Sequence, residues 1–344
     1  MNHLPAAETA YDVAMRACWF LLASAVLSFA QGEEARKAPT DIQPGSITYE
    51  DIPYPYPVHY FPLTMYGQDV RMAYMDVAPA EQSNGRTVVL FHGMNFGGFY
   101  FGPIIDVLRK EGFRVVVPDQ IGFGRSSKPI IPYNFHDMAL NTRKLLTSLG
   151  ISRVSIIGHS MGGMLATRFA ASFPDIIDRA VIYDPIGLHD PRYEHPWRAA
   201  DDEYKAVMAQ SDDQRWQGFY ANIRRYFPPG AWKPEYEKYV RILYAPTLSA
   251  DFPRWAMVRA IYHQITYLDP VDDDWPKIKV KTLVIGGTLD GPDFPQRARH
   301  IADTIPGAEL VLLPGLGHVP HIQAPQMFFP PLLKFLKGEG PGAH

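Results

Sequence analysis

The chain has 344 residues, enough for one large domain with an insertion. Its 47% apolar content can fill a sizeable core. A net charge of −3 with no long run of one sign argues against a nucleic-acid surface, and a single cysteine, Cys18, excludes an intramolecular disulfide. No Cys/His cluster has zinc spacing.

Residues 18–30 (CWFLLASAVLSFA) form an apolar run preceded by Arg16. The run is shorter than the ~20 residues a spanning helix needs. Ser28 and Ala30 put small residues where a signal peptidase reads, so residues 1–30 read as a signal peptide cut after Ala30. Export to the periplasm or the medium follows as an expectation, with no stable membrane insertion after cleavage. Glu8 and Asp12 make the first residues a poor n-region, and Met15 is the better start. The polar, Pro-containing stretch 31–45 reads as a linker.

Strands are then expected at 58–63 and 70–77, and after the Asn84-Gly85 turn at 87–92 (TVVLFH), an apolar, β-branched run typical of a buried strand. Helical spacing follows at 102–110, a strand at 114–118 (RVVVP) and a helix at 135–149. Next come a strand at 154–158 (VSIIG), a small-residue helix at 161–172 and a strand at 180–183. From 187 to 275 helical segments replace the alternation, and Trp and Tyr are dense. The rhythm resumes with a strand at 282–286, a helix near 295–304, a strand at 309–313 and a helix at 326–336. This order predicts an α/β fold: a mostly parallel sheet with helices on both faces, and a helical block inserted after the sixth strand.

Gly158-His159-Ser160-Met161-Gly162 is G-x-S-x-G between a strand and a helix. Only glycine two residues either side tolerates so tight a turn, which lifts Ser160 Oγ above the sheet. The Met161 N–H and the helix N-terminus face the same point, so Met161 is the first oxyanion donor. The second is expected from His92-Gly93-Met94-Asn95, with Met94 preferred and Asn95 the alternative. The base is expected at His318, in the Pro314–His318 loop after the last strand. His321 is its nearest rival, better read as pocket wall or surface; His159 reads as a packing residue. For the acid, Asp290 in GGTLDGP can reach His318 from behind, with Asp184 and Asp293 as alternatives. Asp119 reads as a structural residue that ties its loop through Arg125 or Ser126.

Together, HGMN at 92–95, PDQIGFGRSS at 118–127, GHSMGG at 158–163, GGTLD at 286–290 and GLGHVPHIQAP at 315–325 resemble the α/β-hydrolase superfamily, over roughly residues 57–337. The look is of its lid-bearing branch, which implies that 187–275 caps the site. Some members of that branch carry an aspartate nucleophile; Ser160 argues against their epoxide and haloalkane chemistry. The resemblance implies hydrolysis of a small-molecule carboxylic ester through an acyl-enzyme, with no metal or cofactor. The aromatic block and the methionines at 94 and 161 favour an apolar or aromatic substrate. The runner-up is a carbon–carbon-bond hydrolase of a vinylogous keto acid with the same triad, for which Arg168 or Arg192 would supply the carboxylate-binding cation. A haloperoxidase, an acyltransferase and a non-catalytic binding protein of the same fold stand behind it.

Overall fold

The computed structural model describes residues 36–194 and 196–338. The signal peptide read at 1–30 lies outside the described residues. Eight strands build one sheet: β1 (Val58–Met65), β2 (Gln68–Val77), β3 (Thr87–Phe91), β4 (Arg114–Pro118), β5 (Val154–His159), β6 (Ile177–Tyr183), β7 (Lys281–Gly287) and β8 (Glu309–Leu313). Their order is β1-β2-β4-β3-β5-β6-β7-β8. Only β2 runs antiparallel to its neighbours; from β4 to β8 every pairing is parallel.

Parallel strands are buried on both faces, and the side-chain alternation of a strand divides each one between two cores. Val89, Phe91, Ile156, Ile182 and Val284 point to one core. Helices α2 (Phe135–Ser148) and α3 (Met161–Ser172) cover it. Val88, Leu90, Ile157, Val181 and Leu283 point to the other. There α1 (Gly102–Lys110) is the cover, joined by the C-terminal Pro325–Lys337 helix. Asn134 caps α2, its side chain accepting the Asp137 N–H.

Between β6 and β7 the chain leaves the sheet for α4 (Ala200–Met208), α5 (Asp212–Arg224), α6 (Glu237–Tyr244), α7 (Phe252–His263) and α8 (Ile265–Leu268). Ser211 and Gln214 start α5 with a reciprocal capping box. Trp216, Tyr220 and Ile223 of α5 join Tyr239, Val240 and Leu243 of α6 in the second core, so this block shares its apolar interior with the sheet. The described part of the expected linker, 36–45, lies along the same block. The Gly45 N–H donates to the Ala245 carbonyl at 2.9 Å, the Ala38 N–H to Asp213 at 2.8 Å, and Asp41 pairs with Arg241. After β7 come α9 (Phe294–Thr304), the short α10 (Pro320–Gln323) and α11 (Pro325–Lys337). No helix among the described residues is long and apolar enough to cross a membrane.

The parallel strands all end on one edge, where ligand sites form in such sheets. Met94, Ser160, Asp184, Asp290 and His318 follow the ends of β3, β5, β6, β7 and β8. β3 ends at Phe91, one residue before its expected end, so His92 belongs to the loop.

Candidate active site

Ser160 sits at φ 59°, ψ −122°, outside the regions that L-residues favour. Such a position costs of order 1–3 kcal/mol and persists only when its surroundings hold it. Here three bonds do so: the Ser160 N–H donates to the Tyr183 carbonyl at 3.0 Å, and the Ser160 carbonyl accepts the Gly163 N–H at 2.8 Å and the Ile186 N–H at 3.3 Å. The turn closes only over glycine. A Cβ on Gly158 would fall 1.9 Å from the Gly162 carbonyl oxygen, and one on Gly162 2.1 Å from that of Phe91. The serine hydroxyl is not spent on capping α3.

His318 precedes α10. Its Nδ1 lies 2.8 and 2.9 Å from the two carboxylate oxygens of Asp290. Nδ1 therefore carries the proton that Asp290 accepts, which leaves Nε2 with its lone pair. Its backbone is held as well. The His318 N–H donates to the Tyr226 carbonyl at 2.9 Å, and the Tyr226 ring packs on the imidazole at 4.7 Å between centroids. Asp184, the first alternative acid, bonds elsewhere: its Oδ1 accepts the Gly287 N–H at 2.8 Å. Burial and the nearby Asp290 push its carboxyl well above the usual range. Asp293 pairs with Arg297 at 2.5 Å.

The donor loop is set by His92. Gln120 N–H donates to its Nε2 at 3.0 Å, so Nδ1 carries the proton and donates to the Gly93 carbonyl at 2.9 Å. A trans peptide sends the next N–H, that of Met94, the opposite way. Among the described residues no turn bond takes up the Met94 or the Met161 N–H. The Asn95 side chain donates to the Tyr226 hydroxyl at 2.7 Å.

A buried chain of bonds ties this loop to His318. The Gly93 N–H donates to the Tyr100 hydroxyl at 3.0 Å. That hydroxyl then donates to His159 Nδ1 at 2.8 Å, and His159 Nε2–H donates to the His318 carbonyl at 2.7 Å. Burial and three neighbouring histidines hold His159 well below the usual histidine range, consistent with a neutral ring. His321 is neither pocket wall nor surface. It is buried behind His159 with Nδ1 2.7 Å from the Tyr183 hydroxyl, and burial presses its pKa to about 3.

The alpha/beta hydrolase fold family model matches residues 86–325. The chain belongs to the α/β-hydrolase family. A probable hydrolytic enzyme from Pseudomonas aeruginosa PAO1, of known crystal structure, is 37% identical, superimposes with a TM-score of 0.81, and covers 86% of this chain and 99% of its own. Lipase 3 of a Moraxella species is 28% identical over 253 residues, 71% of this chain and 76% of the relative. A putative carbamate hydrolase of a Caulobacter species is 26% identical over 267 residues, 77% and 96% of the two chains.

In this hydrolase Ser160, His318, Asp290 and Met94 line one cavity of about 690 Å³. Its apolar walls are mostly aliphatic: Pro185, Ile186, Leu188, Leu289 and Pro292. Of the aromatics in the inserted block, Tyr226 alone is part of the lining among the described residues. Trp216, Tyr220, Trp255 and Tyr262 are buried in the protein core, while Tyr193 and Trp197 face solvent. Most of the block's aromatics therefore pack in the protein's interior, and composition alone does not say which face a side chain takes. Met161 is fully buried in the sheet core and adds no wall; Met94 does.

The two arginines that the carbon–carbon-bond alternative offered as carboxylate binders are committed elsewhere. Arg168 is buried beneath the inserted block and pairs with Asp269 and Asp274, both at 2.9 Å. Arg192 folds onto Asp190 at 2.6 Å. The arginines that line the cavity are Arg225 and Arg297. Asp119 accepts the Arg125 N–H at 2.7 Å and the Tyr54 hydroxyl at 2.6 Å, and its carbonyl accepts the Ser126 hydroxyl at 2.6 Å.

The sequence reading missed Tyr226 and Tyr100. Their bonds join residues 131 and 59 positions apart, Asn95 to Tyr226 and Tyr100 to His159, and no local motif encodes them.

Proposed function

We propose that this hydrolase cleaves carboxylic esters of small apolar molecules through an acyl-enzyme on Ser160. The observation that carries the reading is the Asp290–His318 pair, with Nδ1 protonated, opening on the cavity that Ser160 and Met94 share. Ser160 Oγ attacks the acyl carbon as His318 Nε2 takes its proton. The Met94 and Met161 N–H groups hold the oxyanion. His318 then gives the proton to the leaving alcohol and activates water against the acyl-enzyme. Asp290 keeps the tautomer and stabilises the imidazolium.

The lipase relatives support an ester, and the aliphatic wall supports an apolar acyl or alcohol part. The carbon–carbon-bond reading would have to take its cation from Arg225 or Arg297, since Arg168 and Arg192 are paired elsewhere. Export belongs to the same proposal, resting on the apolar run at 18–30; N-terminal sequencing of protein recovered from the periplasm or medium tests it.

The test is a chain-length series of p-nitrophenyl esters with a Ser160→Ala control. Hydrolysis that falls on the order of 10⁶-fold in kcat in the variant is expected. Folded protein that hydrolyses no ester in the series would overturn the reading.

A further inference from the structure

Two aspartates follow adjacent strands of the sheet, β6 and β7, and the mechanism above uses one. Asp184 is fully buried, with φ 38°, and its N–H is fixed to the Ile285 carbonyl at 2.9 Å. Its Oδ1 has a donor, the Gly287 N–H at 2.8 Å. Its Oδ2 is buried too, and among the described residues no N–H or O–H reaches it. The side chain lies beside that of Asp290, close enough for the two carboxyls to repel when both are charged. The surroundings are tight: a Cβ on Gly286 would fall 2.4 Å from Asp184 Oδ1 and 2.4 Å from the Phe294 ring.

An ionised Asp184 would combine three costs. It would bury a charge, leave an acceptor oxygen without a donor, and set that oxygen against a second carboxylate. One proton on Oδ2 removes all three. Asp290 has the opposite situation, since both its oxygens accept from His318 Nδ1–H. Of two adjacent carboxyls, the one whose oxygens both accept from the imidazole keeps the charge.

We propose that Asp184 is a neutral carboxylic acid whose O–H donates to Asp290, so that a carboxyl–carboxylate pair, and not one aspartate, stands behind His318. Its effect on the reaction rests on the ester-hydrolase reading; its protonation does not. The titratable groups around Asp184 are Asp290 from the β7 loop, His318 beyond it, and Tyr183 beside it on β6. The Tyr183 hydroxyl is engaged with His321. In this arrangement Asp184 is a positioning residue. By donating to Asp290 it spreads the carboxylate's charge and keeps His318 less basic than a lone aspartate would.

Infrared difference spectra of the full protein at pH 7 test the protonation without any substrate. A protonated-carboxyl C=O band is expected in the wild type and in Ser160→Ala, and its loss in Asp184→Asn. A spectrum without the band, or a band that survives Asp184→Asn, overturns the proposal. The acid limb of kcat/KM on a p-nitrophenyl ester tests the consequence. Asparagine retains one acceptor and one donor at the two positions, so Asp184→Asn leaves the limb in place, whereas Asp184→Ala moves it to higher pH. A limb that falls by about one pH unit in Asp184→Asn means that a negative charge was removed, and overturns the neutral acid. Asp184→Ala is read only where circular dichroism shows it folded; the asparagine variant and the infrared band stand without it. Absence of ester hydrolysis would count against the ester reading while leaving the infrared result intact.

Discussion

The carboxyl edge of the sheet and the inserted helices meet at one cavity but are held by different means. At the sheet edge, position is enforced by backbone sterics. Gly158 and Gly162 leave no room for a side chain, and Ser160 is locked in its strained turn by main-chain bonds alone. The inserted block is fixed by apolar burial on α5 and α6 and by long polar side chains. Arg259 reaches Asn95, Arg254 reaches the Lys128 carbonyl at 3.0 Å, and Arg168 on α3 reaches up to Asp269. Side-chain contacts can be exchanged one at a time, whereas a turn without free volume cannot. The proposed chemistry therefore belongs to the edge, while the wall of the cavity is shared, with Leu188, Arg225 and Tyr226 from the block and Ile186, Leu289 and Pro292 from the sheet loops.

The contrast can be broken at the edge first. Asp290→Asn should lower kcat by about 10⁴-fold, through the wrong His318 tautomer, with the melting temperature little changed. A loss of less than tenfold would show that Asp184 can replace it. In the block the reverse is expected. Trp216 is buried against Tyr244, with rings 5.4 Å apart at 84°. Its change to alanine should cost about 3–5 kcal/mol in urea unfolding. The surviving folded fraction should keep kcat/KM within a few-fold; a collapse of kcat would make the block part of the chemistry.

The buried layer beneath the edge gives a pH signature. His321 titrates near 3 when folded and near 6.5 when unfolded. Below 6.5 the unfolded chain binds the extra proton, so this group's share of stability is present above that pH. It is lost as pH falls, by about 1.4 kcal/mol per pH unit until the folded group also titrates. Melting temperatures from pH 7 to 5 should decline in the wild type and decline less steeply in His321→Gln, the remaining slope coming from the other buried histidines, His159 among them; an unchanged slope would show that His321 takes no part. The smallest effect is expected at the junction. Tyr226→Phe removes the hydroxyl that Asn95 holds but keeps the ring and the carbonyl, and should cost about tenfold in kcat, roughly 1.4 kcal/mol. If KM alone changes, Tyr226 only binds substrate.

The sheet was legible because its strands are short β-branched runs between turn residues, and because strand, G-x-S-x-G and small-residue helix occur together. The pairing of His318 with Asp290 was legible from chain order and from the loops after β8 and β7. What stayed hidden lies across the fold. That Asp184 and Asp290 face each other depends on the pairing of β6 with β7, which neither segment states. Arg168 looked available because its partners, Asp269 and Asp274, are more than a hundred residues away. How the block's aromatics divide between packing and cavity wall was not legible, since both uses draw on the same residues.

The bond from the His318 N–H to the Tyr226 carbonyl also sets a limit on engineering. A chimera that exchanges 187–275 as one cassette would replace both the carbonyl that holds the proposed base and the hydroxyl that Asn95 binds. Grafts that keep 225–228 and change the segments either side would alter what enters the cavity while leaving the histidine loop its native anchor. In this fold the cut points for recombination are set by one backbone bond, not by the ends of the helices.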